Sequence, residues 1–308
     1  MLELRRTTAN GLERPATPGE GCWLHVTAPA QADLEAMHAF GVPGSLLGHL
    51  DDLDERPRVE HEAGCVLVVL QYPVRREADG PPWATLPLSI ITTPRGVVTV
   101  AHAETPFLAG ALQGKVGGLA TQRTTEFVLH VCRLVAEAFL VALRDVEARV
   151  DRLEHELRRS LRNEEVLGLL EFQKSLTYFT TNLKANELML ERFERLPAVR
   201  LGEQDQDLLE DARVELRQAI ETAEIAESVL SDMMDAFASI VSNNLNSVMK
   251  VLTSVTILLA VPTLIVSFYG MNVLLPGAHG RWAFAAILGF SVVIGAVLFV
   301  AFRRRNWL

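Results

Sequence analysis

From Glu203 onward, apolar or small residues recur in alternating steps of three and four: Leu209, Ala212, Leu216, Ala219, Ala223, Ala226, Leu230, Met233, Phe237 and Ile240. A 3.5-residue period is the pattern of helices packed side by side. No proline interrupts it before Pro262. The pattern therefore predicts one helix over roughly 205–269, about 98 Å long at 1.5 Å per residue. A helical bundle folded within one subunit would show the same period, so the repeat alone leaves self-packing and packing between copies open.

Past Lys250 the charges stop. No charged side chain occurs between Lys250 and Arg281, and Val251–Phe268 is apolar and long enough to cross about 30 Å of hydrocarbon. A second uncharged run, Trp282–Phe302, ends in Arg303, Arg304 and Arg305. With Lys250 before the first run and the arginines after the second, the positive-inside rule places both ends in the cytosol and Tyr269–Arg281 outside. Trp282 and Trp307 sit where interfacial aromatics are expected.

The first run is not uniformly apolar. Continuing the repeat gives Asn246, Met249, Thr253, Thr256, Ala260, Thr263, Ser267 and Gly270, a stripe of polar, small or flexible residues. Lipid gains nothing from such a face, so it should point to other helices or to water. Two spans cannot enclose an aqueous path, so a pore lined by this stripe needs a first span from each of several subunits. Pro262 removes one backbone donor and leaves the carbonyl near Leu258 without its partner. That is either a kink tolerated by packing or backbone offered to a pore.

Ahead of the long helix the period changes. Residues 21–27, 64–74, 86–93 and 96–102 are short β-branched runs bounded by Gly and Pro, and they read as strands of an α+β domain over 1–118. Pro94–Arg95 before Gly96 fits a hairpin turn, and residues 28–41 read as a helix stopped at Gly41. Over 119–202 the pattern is helical and highly charged. Leu153, Leu157 and Leu161 recur every four residues, and Asn163 with Glu164 and Glu165 marks the start of a second, antiparallel helix.

Charge sharpens the division. All 38 acidic residues precede Val251, so residues 1–250, with 25 basic residues, carry a net −13, while 251–308 carry +4. An acidic body on an apolar, basic-ended tail points to a membrane protein that handles cations and away from nucleic acid. The N-terminus has no apolar segment of secretory type, so the body is expected to stay in the cytosol. Cys22, Cys65 and Cys132 are isolated, without CxxC or HExxH, and are expected to be reduced core residues. No Walker-type phosphate loop is present. The excess of arginine over lysine hints at a GC-rich prokaryotic genome.

Tyr269–Gly270–Met271–Asn272 at the outer end of the first span resembles the CorA family of magnesium channels. The spacing of the two spans, residues 246–253 (NSVMKVLT) leading into the first, and the closing RRRNWL (303–308) strengthen the resemblance, as does ERPRVE (55–60) before a strand. The resemblance implies a funnel-shaped homopentamer in a prokaryotic cytoplasmic membrane, with both termini cytosolic. It divides the chain into the α+β domain, the antiparallel helices of 119–202, a stalk over 203–250, a first span over 251–272, an external loop over 273–281, a second span over 282–302 and a basic tail over 303–308.

Carried over by position, Gly270, Met271 and Asn272 form the selectivity filter, Asn272 supplying a ring of amides to the hydrated ion. Gly270 would let the backbone turn sharply there, with Met271 packing behind. Asn246, Thr256, Ala260 and Thr263 line the pore, and Met249 with Leu252 forms its apolar constriction. The stripe gives Thr253 where the resemblance gives Leu252; a helix of 3.6 residues per turn drifts off a strict 3.5 repeat, which favours Leu252.

The resemblance implies Mg²⁺ as both transported and regulatory ion, with Co²⁺ and Ni²⁺ as further cargo. Asp211 matches the position of the regulatory ligand that holds the pore shut. Residues 51–55 (DDLDE) are expected to be an acidic surface loop, and Glu203, Asp205 and Asp207 first-turn acids. The external loop carries no Asp or Glu, and His279 and Arg281 oppose cation accumulation at the mouth. The alternatives are the family's Zn²⁺-transporting branch and a membrane-anchored scaffold that conducts nothing. Softer ligands would be expected for Zn²⁺, and the first span has no Cys or His.

Overall fold

Seven strands, β1 (Leu2–Thr8), β2 (Gly11–Glu13), β3 (Cys22–Thr27), β4 (Arg58–Glu62), β5 (Cys65–Arg75), β6 (Trp83–Thr93) and β7 (Gly96–Ala101), form one sheet in the order β2-β1-β3-β7-β6-β5-β4. This computed structural model describes residues 1–8, 11–76, 80–114, 119–159, 163–271, 280 and 282–307. Every pairing is antiparallel except β3 with β7, which run parallel from Cys22 opposite Gly96 to Thr27 opposite Ala101. The four strands expected from β-branched runs are all present, and Pro94–Arg95 makes the two-residue turn between β6 and β7. Gly96 is needed where it stands. Its φ is 149°, and any side chain there would collide with the Cys22 backbone of the neighbouring strand.

The sheet is covered on both faces, which is why its central strands read as nearly continuous apolar runs. On one face Cys22, Leu24, Val26, Leu67, Val69, Ile91, Val98 and Val100 join Met37 and Phe40 of α1 (Gln31–Phe40) and Leu46 of α2 (Gly44–Leu47) in a single core. The helix α3 (Pro106–Leu112) follows β7. On the other face lie α4 (Thr124–Arg159) and α5 (Asn163–Glu194), the antiparallel pair expected over 119–202. Trp23 meets Phe127 of α4 edge-on, and Phe179 of α5 meets both Trp83 and Phe139. Leu157 is buried, while Leu161 lies outside the described residues. The three cysteines are free and buried, and burial pushes the Cys132 thiol up to about 12.

The long helix α6 runs without interruption over Glu203–Tyr269, 67 residues, through Pro262. A second apolar helix, α7, spans Ala283–Arg304, so Arg303 and Arg304 form its last turn rather than a separate tail. Both are long and apolar enough to cross a membrane. The chain divides into two compact units, Met1–Asp232 and Met233–Leu308, and the division falls inside α6, within the segment expected as stalk.

In the first unit the 3.5-residue repeat is covered by the chain itself. Leu209, Ala212, Leu216, Ala219, Ala223 and Leu230 are buried. Flanking polar groups clasp α5 in antiparallel order. Arg213 pairs with Glu194, Arg217 with Glu187 at 3.3 Å and Lys184 with Glu224 at 2.6 Å, while the Thr177 and Thr180 hydroxyls donate to Glu227. Self-packing therefore accounts for this part of the repeat. Beyond Phe237 the pattern continues without cover: Ile240 is 46% exposed, and every residue from 238 to 250 is exposed.

Candidate functional site

In the second unit α6 has two unlike faces. Ser254 is fully buried, and Ile257, Leu258, Val261, Pro262 and Ile265 are half-buried. Their spacing of three and four places them on one stripe. On α7 the same holds for Ala283, Ile287, Ser291, Ile294, Gly295, Leu298 and Phe302, of which Ser291 is buried. Asn246, Met249, Leu252, Thr256, Ala260, Thr263, Ser267 and Gly270 are all exposed. At 3.6 residues per turn this polar stripe is centred roughly 160° around α6 from the covered one. Leu252 and Thr253 are both uncovered, so cover does not choose between them.

Two threonine hydroxyls on the open stripe have their donors engaged. Thr256 Oγ1 donates to the Leu252 carbonyl at 2.8 Å, and Thr263 Oγ1 donates to Leu259 at 2.7 Å. Such back-bonding spends the O–H on the helix itself and leaves the oxygen lone pairs facing outward. A file of acceptors without net charge suits the hydrogens of water around a cation. Ser254, on the covered face, back-bonds to Lys250 at 2.8 Å in the same way.

Pro262 and Leu258 lie on the covered stripe. The carbonyl freed by the missing proline N–H therefore belongs to the helix-facing side, which supports the packing account of Pro262 over backbone offered to a pore. Ser254 and Ser291, the two buried hydroxyl residues of the spans, were not singled out from the sequence. On α7 Ser291 and Gly295, small residues four apart, are the signal of such a seam, whereas Ser254, flanked at that spacing by Lys250 and Leu258, carries none.

At its C-terminal end α6 stops at Tyr269, and the Gly270 N–H closes the last turn onto Val266 and Ser267. Gly270 has no positive φ, and a Cβ there would meet only ordinary contacts at 3.5 and 3.6 Å. The chain leaves the helix through a turn at Gly270 and a bend at Met271, which is 53% exposed, without needing a positive φ at the glycine. Asn272 and most of the 273–281 loop lie outside the described residues.

Asp211 is exposed on α6 and makes no hydrogen bond or ion pair among the described residues. No group of three or more His, Cys, Asp or Glu gathers to hold a metal among the described residues. The acidic segment 51–55 forms a surface turn in which the Asp54 N–H donates to Asp52 and Glu55 pairs with Arg58.

A model of the family described as CorA-like Mg²⁺ transporter protein matches residues 19–304. The chain belongs to the CorA family. It is 28% identical over 293 residues to the cobalt/magnesium transport protein CorA of Methanocaldococcus jannaschii, covering 93% of this chain and 91% of that one. The Thermotoga maritima protein of the same name is 21% identical over 294 residues, covering 93% and 83%. Among solved structures, the complete CorA magnesium transporter of M. jannaschii superposes with a TM-score of 0.86 at 25% identity, covering 100% of this chain and 99% of that one. The ZntB cytoplasmic domain from Vibrio parahaemolyticus matches 78% of the chain with a TM-score of 0.60 at 10% identity, a likeness of fold alone. Membership of CorA makes this a membrane transporter with two spans, not an enzyme.

Proposed function

We propose that this CorA protein forms a passive path for Mg²⁺ into the cytosol, built from the α6 helices of several copies. The observation that carries this reading is the uncharged polar stripe on the face of α6 opposite its covered seam. A face of threonine and serine acceptors that no part of the chain covers has a use only beside water or beside another copy. Arranged around an axis, five such faces would line a path with Thr263 and Asn246 as polar rings and Met249 with Leu252 as an apolar constriction able to close by dewetting. The pentamer, with both termini in the cytosol, is the arrangement the family resemblance favours.

Mg²⁺ holds six waters in near-octahedral geometry and sheds them reluctantly. Neutral oxygens can accept hydrogen bonds from those waters without trapping the divalent charge, and conduction needs binding weak enough to leave. The Asn272 amide ring is proposed as the outer point of contact, held by Gly270 and Met271. An inside-negative potential supplies about 2.3 kcal/mol per charge per 100 mV, so about 4.6 for a divalent ion, sufficient for entry without ATP. Co²⁺ and Ni²⁺ are proposed as further cargo, in keeping with relatives named for cobalt and magnesium transport. Asp211 is proposed as one ligand of a site completed by a neighbouring copy, through which cytosolic Mg²⁺ closes the path.

The reading is tested by divalent entry into proteoliposomes under an imposed inside-negative potential, with Mg²⁺ and Zn²⁺ in parallel and Asn272→Ala as control. Mg²⁺ entry lost in the variant supports it. Entry of Zn²⁺ alone moves the protein to the zinc-transporting branch. No flux of either ion leaves the membrane-anchored scaffold.

A further inference from the structure

The first unit carries a cleft that the transport reading does not use. It lies where the loop before β4, the ends of β5 and β6 and one side of α5 come together, and it measures about 320 Å³. Small-molecule sites run from about 300 to 1,000 Å³, so this is a compact one. The loop is held in place: Gln71, 5% exposed, donates through Nε2 to the Glu55 carbonyl at 2.7 Å, and Arg58 ties the Glu55 carboxylate at 2.6 Å.

Two guanidiniums, Arg56 and Arg76, line the cleft, and neither makes an ion pair or side-chain hydrogen bond among the described residues. The Asp54 and Glu55 carboxylates share this lining, but Glu55 is taken by Arg58, so among the described residues Arg56 and Arg76 leave the cleft one positive charge in excess, which favours an anion. Their planar forks match phosphate oxygens better than an ammonium would. On the α5 side Tyr178 is 46% exposed, and Asn182 donates Nδ2 to Thr85 at 2.8 Å while its carbonyl oxygen makes no hydrogen bond among the described residues. An aromatic face beside an amide oxygen suits a planar base with an N–H to give. Asp54, also on the rim, would repel a bare phosphate but accepts a hydrated divalent cation travelling with it.

We propose that this cleft binds a nucleoside polyphosphate together with its Mg²⁺, the phosphates on Arg56 and Arg76, the base on Tyr178 and the cation beside Asp54. The inference is independent of whether the chain conducts, because it rests on the first unit alone.

The test is calorimetric titration of the full-length protein in detergent with Mg²⁺-ADP, with ADP in chelator and with inorganic phosphate. Saturable Mg²⁺-ADP binding is expected, weakened about tenfold or more by Arg56→Ala with Arg76→Ala, as loss of charged hydrogen bonds requires. Tyr178→Ala should weaken ADP and leave inorganic phosphate unchanged, and Asp54→Asn should remove the advantage of Mg²⁺-ADP over ADP in chelator. If the alanine pair lowers the melting temperature, Arg56→Lys with Arg76→Lys is read instead, and a loss of several-fold is expected from the missing forks. Wild-type affinity in the arginine variants overturns the proposal, and so does absence of saturable binding up to about 5 mM, a free energy near 3 kcal/mol.

Discussion

Asn186 of α5 makes two hydrogen bonds to the backbone of Gln71 on β5: its Oδ1 accepts from the Gln71 N–H at 2.9 Å, and its Nδ2 donates to the Gln71 carbonyl at 2.8 Å. Gln71 lies opposite Pro87, which has no N–H, and β4 begins only at Arg58, opposite Val69. No strand completes the ladder at Gln71, so a fully buried carboxamide does. Asn186→Ala leaves two buried backbone groups unpaired, a loss of about 2–4 kcal/mol. Thermal unfolding of the variant should show a midpoint about 4–12 °C lower. An unchanged midpoint would mean that the bond pair contributes nothing net.

His25 is buried on β3 between Thr99 and Thr27, and burial lowers its pKa to about 4 despite the nearby Glu3 carboxylate. The unfolded chain takes up this proton near pH 6.5 and the folded chain only near 4, so the folded state binds fewer protons across that window. Stability from this group is complete above pH 6.5, falls as pH drops towards 4 and levels off below it, a total of about 3 kcal/mol. Glu126, raised by burial against the pull of Arg123, titrates in the opposite sense, so the two must be separated by substitution. The melting midpoint should fall more steeply between pH 6.5 and 4.5 in the wild type than in His25→Gln. Parallel slopes would assign the acid sensitivity elsewhere.

What the sequence makes legible depends on how local the cause is. The strands of 21–27, 64–74, 86–93 and 96–102 stand out because both of their faces are buried. β1 (LELRRTT) and β4 (RVEHE) do not, because strands at or near a sheet edge carry charges that blunt the apolar pattern. The span of α6 follows from an unbroken period, and its open stripe from the residue types on it. Cover is a different matter: the repeat reads alike at Leu216 and Ile240, yet the chain buries the first and leaves the second exposed. Arg56, Arg76 and Tyr178 share no sequence pattern, and only the topology of β5, β6 and α5 brings them to one cleft.

Asp211 is exposed and has no partner among the described residues, so removing its charge should leave the fold intact. Asp211→Asn is expected to keep the wild-type melting midpoint in the absence of Mg²⁺ and to lose several-fold sensitivity in Mg²⁺-dependent protection from protease. Protection that follows the wild-type Mg²⁺ titration would remove Asp211 from the sensor.

The central claim is that the polar stripe of α6 faces the ion path and the opposite stripe faces the other span. Single cysteines placed along α6, with the three buried native cysteines left in place, test it through block of potential-driven Mg²⁺ entry by a bulky charged thiol reagent. Block is predicted at Thr256→Cys, Thr263→Cys and Ser267→Cys, with flux unaffected at Ile257→Cys, Val261→Cys and Ile265→Cys. Block confined to the second set, or block independent of position, would contradict the account.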